Sequence, residues 1–162
     1  MNVTRRHGPY PAIDPSRPEL SQRGRAVLVT GSSSGIGFYT ARAFAKAGAA
    51  TVVLTGRRGR SLTAAVAELV SQYPETKFLG RVLDISNSQE IDKLWTDFDE
   101  NGGLVIDVLV LNAARIQFDG KSLLDRGHAE VFADYATNVG SNLQLVDHFY
   151  HQKKRDPSRK LV

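Results

Sequence analysis

A chain of 162 residues, 41% apolar and 23% charged, is sized and composed for one globular domain with a core of its own. It has no cysteine, which excludes disulfides, a thiolate nucleophile and any cysteine-based metal site. The net charge of +4 does not single out nucleic acid: the basic residues are scattered, and the one dense cluster, Lys153-Lys154-Arg155 with Arg159 and Lys160, reads as a solvated helix end without aromatics interleaved for base stacking.

Arg5 and Arg6 have no apolar stretch behind them, so no secretory leader is expected, and no apolar run approaches the length of a bilayer span. The expectation is a soluble, intracellular (cytoplasmic) protein with neither membrane nor nucleic acid as a partner. Residues 1–23 carry four of the six prolines among polar residues. They read as an N-terminal extension packed on the surface, with no chemistry of their own. Residues 24–162 then form the domain.

The first strand is expected at about Arg25–Thr30, around the apolar run Ala26-Val27-Leu28-Val29. A helix comes next over about Gly35–Ala47, with Ile36, Thr40, Phe44 and Ala47 at helical spacing and Gly48 as a left-handed cap. Between strand and helix lies Thr30-Gly31-Ser32-Ser33-Ser34-Gly35-Ile36-Gly37. Glycines at such a turn accept positive φ and hold no Cβ between a ligand's phosphate and the backbone. The helix beyond it aims its unpaired N–H groups and positive dipole end at the same place, which suits a diphosphate.

The second strand is Thr51-Val52-Val53-Leu54, ending at Thr55-Gly56-Arg57-Arg58. In dinucleotide folds an acid just past this strand bonds the ribose 2′-hydroxyl. Two arginines stand there instead, and a guanidinium fork suits a 2′-phosphate, so NADP is favoured over NAD; a charged surface turn is the plainer alternative. Leu62, Val66, Leu69 and Val70 give the stripe of a second helix, closed by Tyr73-Pro74. The third strand, about Lys77–Leu83, ends at Asp84-Ile85-Ser86, where Asp84 or Ser86 could also be the N-cap of a helix over Ser88–Glu100. That third helix carries Ile91, Leu94, Trp95 and Phe98 on one face and ends at Asn101-Gly102-Gly103.

Val108-Leu109-Val110-Leu111 reads as a fourth strand buried on both faces and leads to Asn112-Ala113-Ala114. A long helical region is expected from about Arg126 to Lys154, with Val131, Tyr135, Asn138, Val139, Leu143, Val146 and Phe149. His148 and His151 share a helix face near Asp147; without further converging ligands they read as surface histidines, and no metal is expected. Asp156-Pro157-Ser158 breaks the helix, and Lys160-Leu161-Val162 looks like the start of a fifth strand.

The spacing Thr-Gly-x-x-x-Gly-Ile-Gly, the acid at Asp84 and Asn112-Ala113 resemble the short-chain dehydrogenase/reductase family from about Gly24 onward. The fold this implies is α/β: a Rossmann-like, doubly wound parallel sheet in the order 3-2-1-4 with a stub of strand five. The resemblance implies an NADP-dependent oxidoreductase, moving hydride between the nicotinamide and a carbonyl or alcohol substrate. Cofactor contacts are expected at Gly31, Ser33, Ser34, Gly35, Ile36, Gly37, Arg57, Arg58, Asp84, Ile85, Asn112 and Ala113. Leu111 and Ala114 depart from the family's usual Asn-Asn-Ala-Gly, and Ala114 adds a methyl near the cofactor.

Asn138 matches a family asparagine that helps hold a proton-relay water, although an asparagine inside a helix is ordinarily just exposed. The family's serine and Tyr-x-x-x-Lys come after strand five. Tyr73–Lys77 and Tyr150–Lys154 have that spacing but the wrong places, and both read as coincidence. The expectation is therefore a domain incomplete at its C-terminus, lacking the catalytic serine, tyrosine and lysine. The alternative is a non-catalytic nucleotide-binding protein or a truncated gene product. Self-association is expected too, because Val131, Tyr135, Leu143, Val146 and Phe149 should be left partly uncovered.

Overall fold

The structure is a computed structural model that describes residues 10–100, 103–117 and 119–152. The expected basic cluster, the strand-five stub, the break at Asp156-Pro157-Ser158 and the helix end at Asn101-Gly102 lie outside the described residues. Four parallel strands form one sheet: β1 (Ala26–Val29), β2 (Thr51–Gly56), β3 (Lys77–Val82) and β4 (Val108–Val110). The order is β3-β2-β1-β4, as expected. Register is fixed by pairs such as Leu28–Val53, Leu28–Leu109 and Val53–Leu79. The crossovers are α1 (Gly35–Lys46), α2 (Gly59–Gln72) and α3 (Ser88–Glu100). After β4 come α4 (Leu123–Tyr135), a π-helical turn at Ala136–Gly140 and α5 (Ser141–Tyr150). No helix among the described residues is long and apolar enough to cross a membrane.

Alternation along the strands sends side chains into two cores. Val27, Val29, Val52 and Leu54 pack with Phe38, Ala41, Leu62 and Leu69 of α1 and α2. Leu28 and Val53 pack on the opposite face with Ile91, Leu94, Trp95 and Phe98 of α3 and with Leu145 and Phe149 of α5. The strands β1 and β2 are buried on both sides, which is why they read as unbroken apolar runs.

Several expected faces shift. The packed side of α1 is Gly37, Phe38, Ala41 and Ala45, while Ile36 is 80% exposed. Three of these four, Gly37, Ala41 and Ala45, are small and let the helix axis approach the sheet closely, with Phe38 filling the core beside them. In α2, Ala65 takes the core place and Val70 faces outward. The strand β4 is half-buried, not fully buried, since among the described residues it has a strand on one side only. The helical region expected from Arg126 starts earlier, at Leu123, is broken at Gly127 (φ 75°) and then continues to Tyr150, with Phe149 in the core. Its outer face is Phe132, Tyr135, Val139, Leu143, Val146 and Tyr150, spaced by three or four residues and all exposed.

The described residues before β1, 10–25, are tied to the domain. Gln22 N donates to Ala47 O at 2.9 Å, and Lys46 Nζ lies 2.8 Å from Asp14 Oδ1. The Lys46 hydrogen bond, with those from Ser16, holds the Asp14 carboxyl well below the usual carboxylate range. At the far end of α1, Gly48 has φ of 85° and donates to Ala45 O at 2.9 Å, the left-handed cap expected of it.

Candidate nucleotide-binding site

All four strands point their C-terminal ends at one cleft of about 870 Å³. Each strand sends a different loop into it. Gly31, Ser33 and Ser34 come after β1; Gly56 ends β2, and Arg57 and Arg58 follow it; Leu83, Asp84, Ile85 and Ser86 come after β3; Asn112 through Ile116 come after β4, with Thr137 of the π-turn beside them. This is the crevice at the point where strand order reverses, the usual ligand position in an open parallel sheet.

The glycine-rich turn is stitched to both neighbouring strands by buried hydroxyls. Thr30 Oγ1 accepts from the backbone N–H of Asn112 and of Ala113, both at 3.0 Å. Asn112 Nδ2 returns two bonds, to Thr30 O at 2.9 Å and Gly31 O at 3.1 Å. On the other side Ser32 Oγ donates to Val29 O at 2.7 Å and accepts from Thr55 N at 3.0 Å. The turn is thereby held before any ligand arrives.

Ser34 is the N-cap of α1, yet its side chain makes no capping bond. The first-turn N–H groups, those of Gly35, Ile36 and Gly37, have no acceptor within the helix. Gly35 has φ of 59°, and a Cβ there would meet no atom within 4 Å. Gly37 answers a different need: a Cβ would fall 2.5 Å from Asn112 Nδ2 and 2.5 Å from Gly31 O. Of the expected contacts, Gly35, Ile36 and Gly37 are not among the cleft-lining residues, and the Ile36 side chain is exposed. The other nine, Gly31, Ser33, Ser34, Arg57, Arg58, Asp84, Ile85, Asn112 and Ala113, come together there.

Arg57 and Arg58 are both exposed at the mouth, next to the loop that carries Asp84. Burial works against charge on the Asp84 carboxyl. Hydrogen bonds from Ser86 Oγ (2.8 Å) and Ser86 N (3.0 Å), with the positive charge of Arg57, outweigh it and hold the group below its ordinary range. Asp84 is thus an anion facing a cation across the cleft end. It is not the N-cap of α3, and neither is Ser86: Asn87 Oδ1 accepts from Gln89 N at 3.1 Å and Glu90 N at 3.4 Å. Glu90 Oε2 accepts from Asp84 N at 2.8 Å, and the Asp84 carboxyl is taken up by Ser86.

Asn138 is neither exposed nor free. Its Oδ1 accepts from Arg115 N at 2.7 Å and its Nδ2 donates to Arg115 O at 2.9 Å, so it clasps one residue of the cleft wall by both main-chain groups. Tyr73 and Lys77 lie at the N-terminal end of β3, opposite the cleft, and Tyr150 is exposed at the end of α5. His148 departs in part from a plain surface histidine: its Nε2 lies 2.8 Å from Asp92 Oδ1 and its ring stacks on Trp95, while His151 pairs with Asp147 instead. No group of three metal-type ligands occurs among the described residues. Ala114, flagged by its place after Asn112-Ala113, does line the cleft, while Thr55 and the wall residues Arg115 and Ile116 carry no motif to announce them. The one signal in the sequence is that β1 and β2 run into threonines, Thr30 and Thr55, after apolar stretches.

A parallel sheet with this turn and cleft defines a dinucleotide-binding class of α/β protein. Residues 25–158 match the short chain dehydrogenase family, and the chain belongs to that family. It is 29% identical over 133 residues to YvaG of Bacillus subtilis, an uncharacterized oxidoreductase, covering 82% of this chain and 47% of that one. It is 36% identical over 113 residues to the short chain dehydrogenase mpl6 of Monascus purpureus, covering 67% and 37%. Among solved structures, a metagenomic short-chain oxidoreductase in complex with NADP superposes with a TM-score of 0.70 at 33% identity, covering 79% of this chain and 56% of that one. L-sorbose reductase of Gluconobacter frateurii, complexed with NADPH and L-sorbose, gives 0.70 at 26% identity, covering 80% and 47%. The chain spans about half or less of the length of these curated relatives.

Gly37→Ala should destabilise the chain by about 1–3 kcal/mol, the cost of forcing a methyl into a packed contact. Chemical denaturation followed through Trp95 measures it, and a loss under a few tenths of a kcal/mol would show that Asn112 yields freely.

Proposed function

We propose that the chain is the cofactor-binding part of an NADP-dependent oxidoreductase that acts on a carbonyl or alcohol. One observation carries the reading: a glycine-rich turn at a helix N-terminus and two arginines after β2 open on the same cleft. In this reading the free N–H groups at the start of α1 take the diphosphate, with the Ser34 hydroxyl beside them. Arg57, with Arg58, takes the 2′-phosphate as a charge-assisted fork. Asp84 and Ile85 border the adenine, while Asn112 and Ala113 border the other ribose. When bound, NADPH supplies a hydride to a carbonyl carbon. Asn138 orients the wall at Arg115, and the family's water-holding role is assigned to it here. The exposed face of α4 and α5 supports a homo-oligomer.

NADP should bind more tightly than NAD, and Arg57→Asp should shrink or reverse the difference. Titration calorimetry on the unmutated chain decides; equal affinities would contradict the assignment.

A second reading, a nucleotide-binding protein without catalysis, is favoured by the position of the tyrosines. Neither Tyr73 nor Tyr150 lines the cleft. This chain alone should therefore not turn over, since positioned acid–base groups supply about 10²–10⁴-fold and no tyrosine, histidine or lysine among the described residues lines the cleft. NADPH offered with a panel of ketones and aldehydes should lose no absorbance; substrate-dependent oxidation abolished by Tyr150→Phe would show that a surface tyrosine carries the chemistry after all.

A further inference from the structure

The cleft wall after β4 is held from behind by two carboxylates that do not themselves line the cleft. Glu130 and Asp134 are one turn apart on α4, facing the segment Arg115–Gln117. Arg115 Nη2 donates to Glu130 Oε2 at 2.6 Å, and its Nε lies 3.0 Å from Asp134 Oδ1. Gln117 Nε2 donates to the same two groups, at 3.0 Å and 3.4 Å. Arg126 closes the set: Nη1 lies 3.7 Å from Asp134 Oδ2, and Nη2 donates to Gln117 O at 3.0 Å and to Asp119 Oδ1 at 2.6 Å. Single exposed ion pairs contribute little. Asp134 and Arg126 are mostly covered, 21% and 11% exposed, while Glu130 is 52% exposed; Glu130 serves two partners and Asp134 three, the arrangement in which such contacts reinforce one another.

The direction of the cleft decides which part of a ligand this segment can affect. Arg57 and Asp84, after β2 and β3, mark the adenosine end; Arg115 and Ile116, after β4, are at the other end. We propose that Glu130 and Asp134 are positioning residues, which hold Arg115 and Gln117 against α4 and so shape the nicotinamide end of the cleft. The proposal rests on the NADP reading. Asn138 fixes the main chain of Arg115; the two carboxylates fix the parts that clasp leaves loose, the Arg115 side chain and Gln117. Their removal frees the wall without touching the glycine-rich turn.

The test compares two ligands with the same phosphates: NADPH, and 2′-phospho-ADP-ribose, which lacks the nicotinamide. Dissociation constants are measured for the unmutated chain and for Glu130→Gln/Asp134→Asn. Changes in net charge or overall stability move both constants together and cancel in their ratio. The ratio of the NADPH constant to the other should rise about fivefold in the variant, the scale of one hydrogen bond. An unchanged ratio, with both ligands still bound, overturns the positioning role and leaves the NADP reading standing. Failure of the unmutated chain to bind either ligand overturns both. Should the double variant not fold, the unmutated chain gives the same answer under added salt, which screens these pairs: the ratio should climb with salt, and a constant ratio overturns the proposal.

Discussion

The cleft depends on one constraint: a turn of small residues is locked between two strand ends by hydroxyls with no access to water. Thr30, Ser32 and Thr55 are fully buried. Buried polar groups left unpaired cost about 1–3 kcal/mol each, so their presence demands that every bond be made. They are made, to Asn112 and Ala113 on one side and to Val29 and Thr55 on the other. The result is a turn whose shape does not wait on the ligand. A turn organised in advance spends less of its binding free energy on ordering itself.

That turn sets the electrostatics of the cleft. The N-terminus of α1 offers N–H groups and the positive end of the helix dipole. Arg57 adds a full charge at one end, and Asp84 answers it with a carboxylate held ionised by Ser86. At the opposite end the cation of Arg115 is occupied by Glu130 and Asp134. The open positive charge is thus concentrated at the end of the cleft where Arg57 and Arg58 follow β2. The net charge of +4 by itself could not say this; its placement does.

Much of the fold is legible in the residues because β1 and β2 are central. Buried on both faces, they appear as unbroken apolar runs, and the glycine spacing marks the turn and helix after β1. The sheet order comes from parallel crossovers of one hand. Legibility falls where tertiary contact overrides spacing. In α1 Ile36, Thr40, Phe44 and Ala47 have the spacing of a buried stripe, but Gly37 packs close to Asn112 and Ile36 is left in water. Capping of α3 goes to Asn87, while the side chains of Asp84 and Ser86 bond each other. The clasp of Asn138 on Arg115 spans 23 residues and a π-helical turn, and no local pattern foretells it.

The central claim is that a preformed turn at the head of α1 is where an anionic ligand is gripped. Amide hydrogen exchange with and without saturating NADPH tests it at the residues concerned. Protection should appear at Gly31–Gly37, Gly56–Arg58 and Asn112–Ile116, with none at residues 73–77 on the opposite end of the sheet. Protection absent from Gly31–Gly37, or spread evenly to that opposite end, would contradict the account.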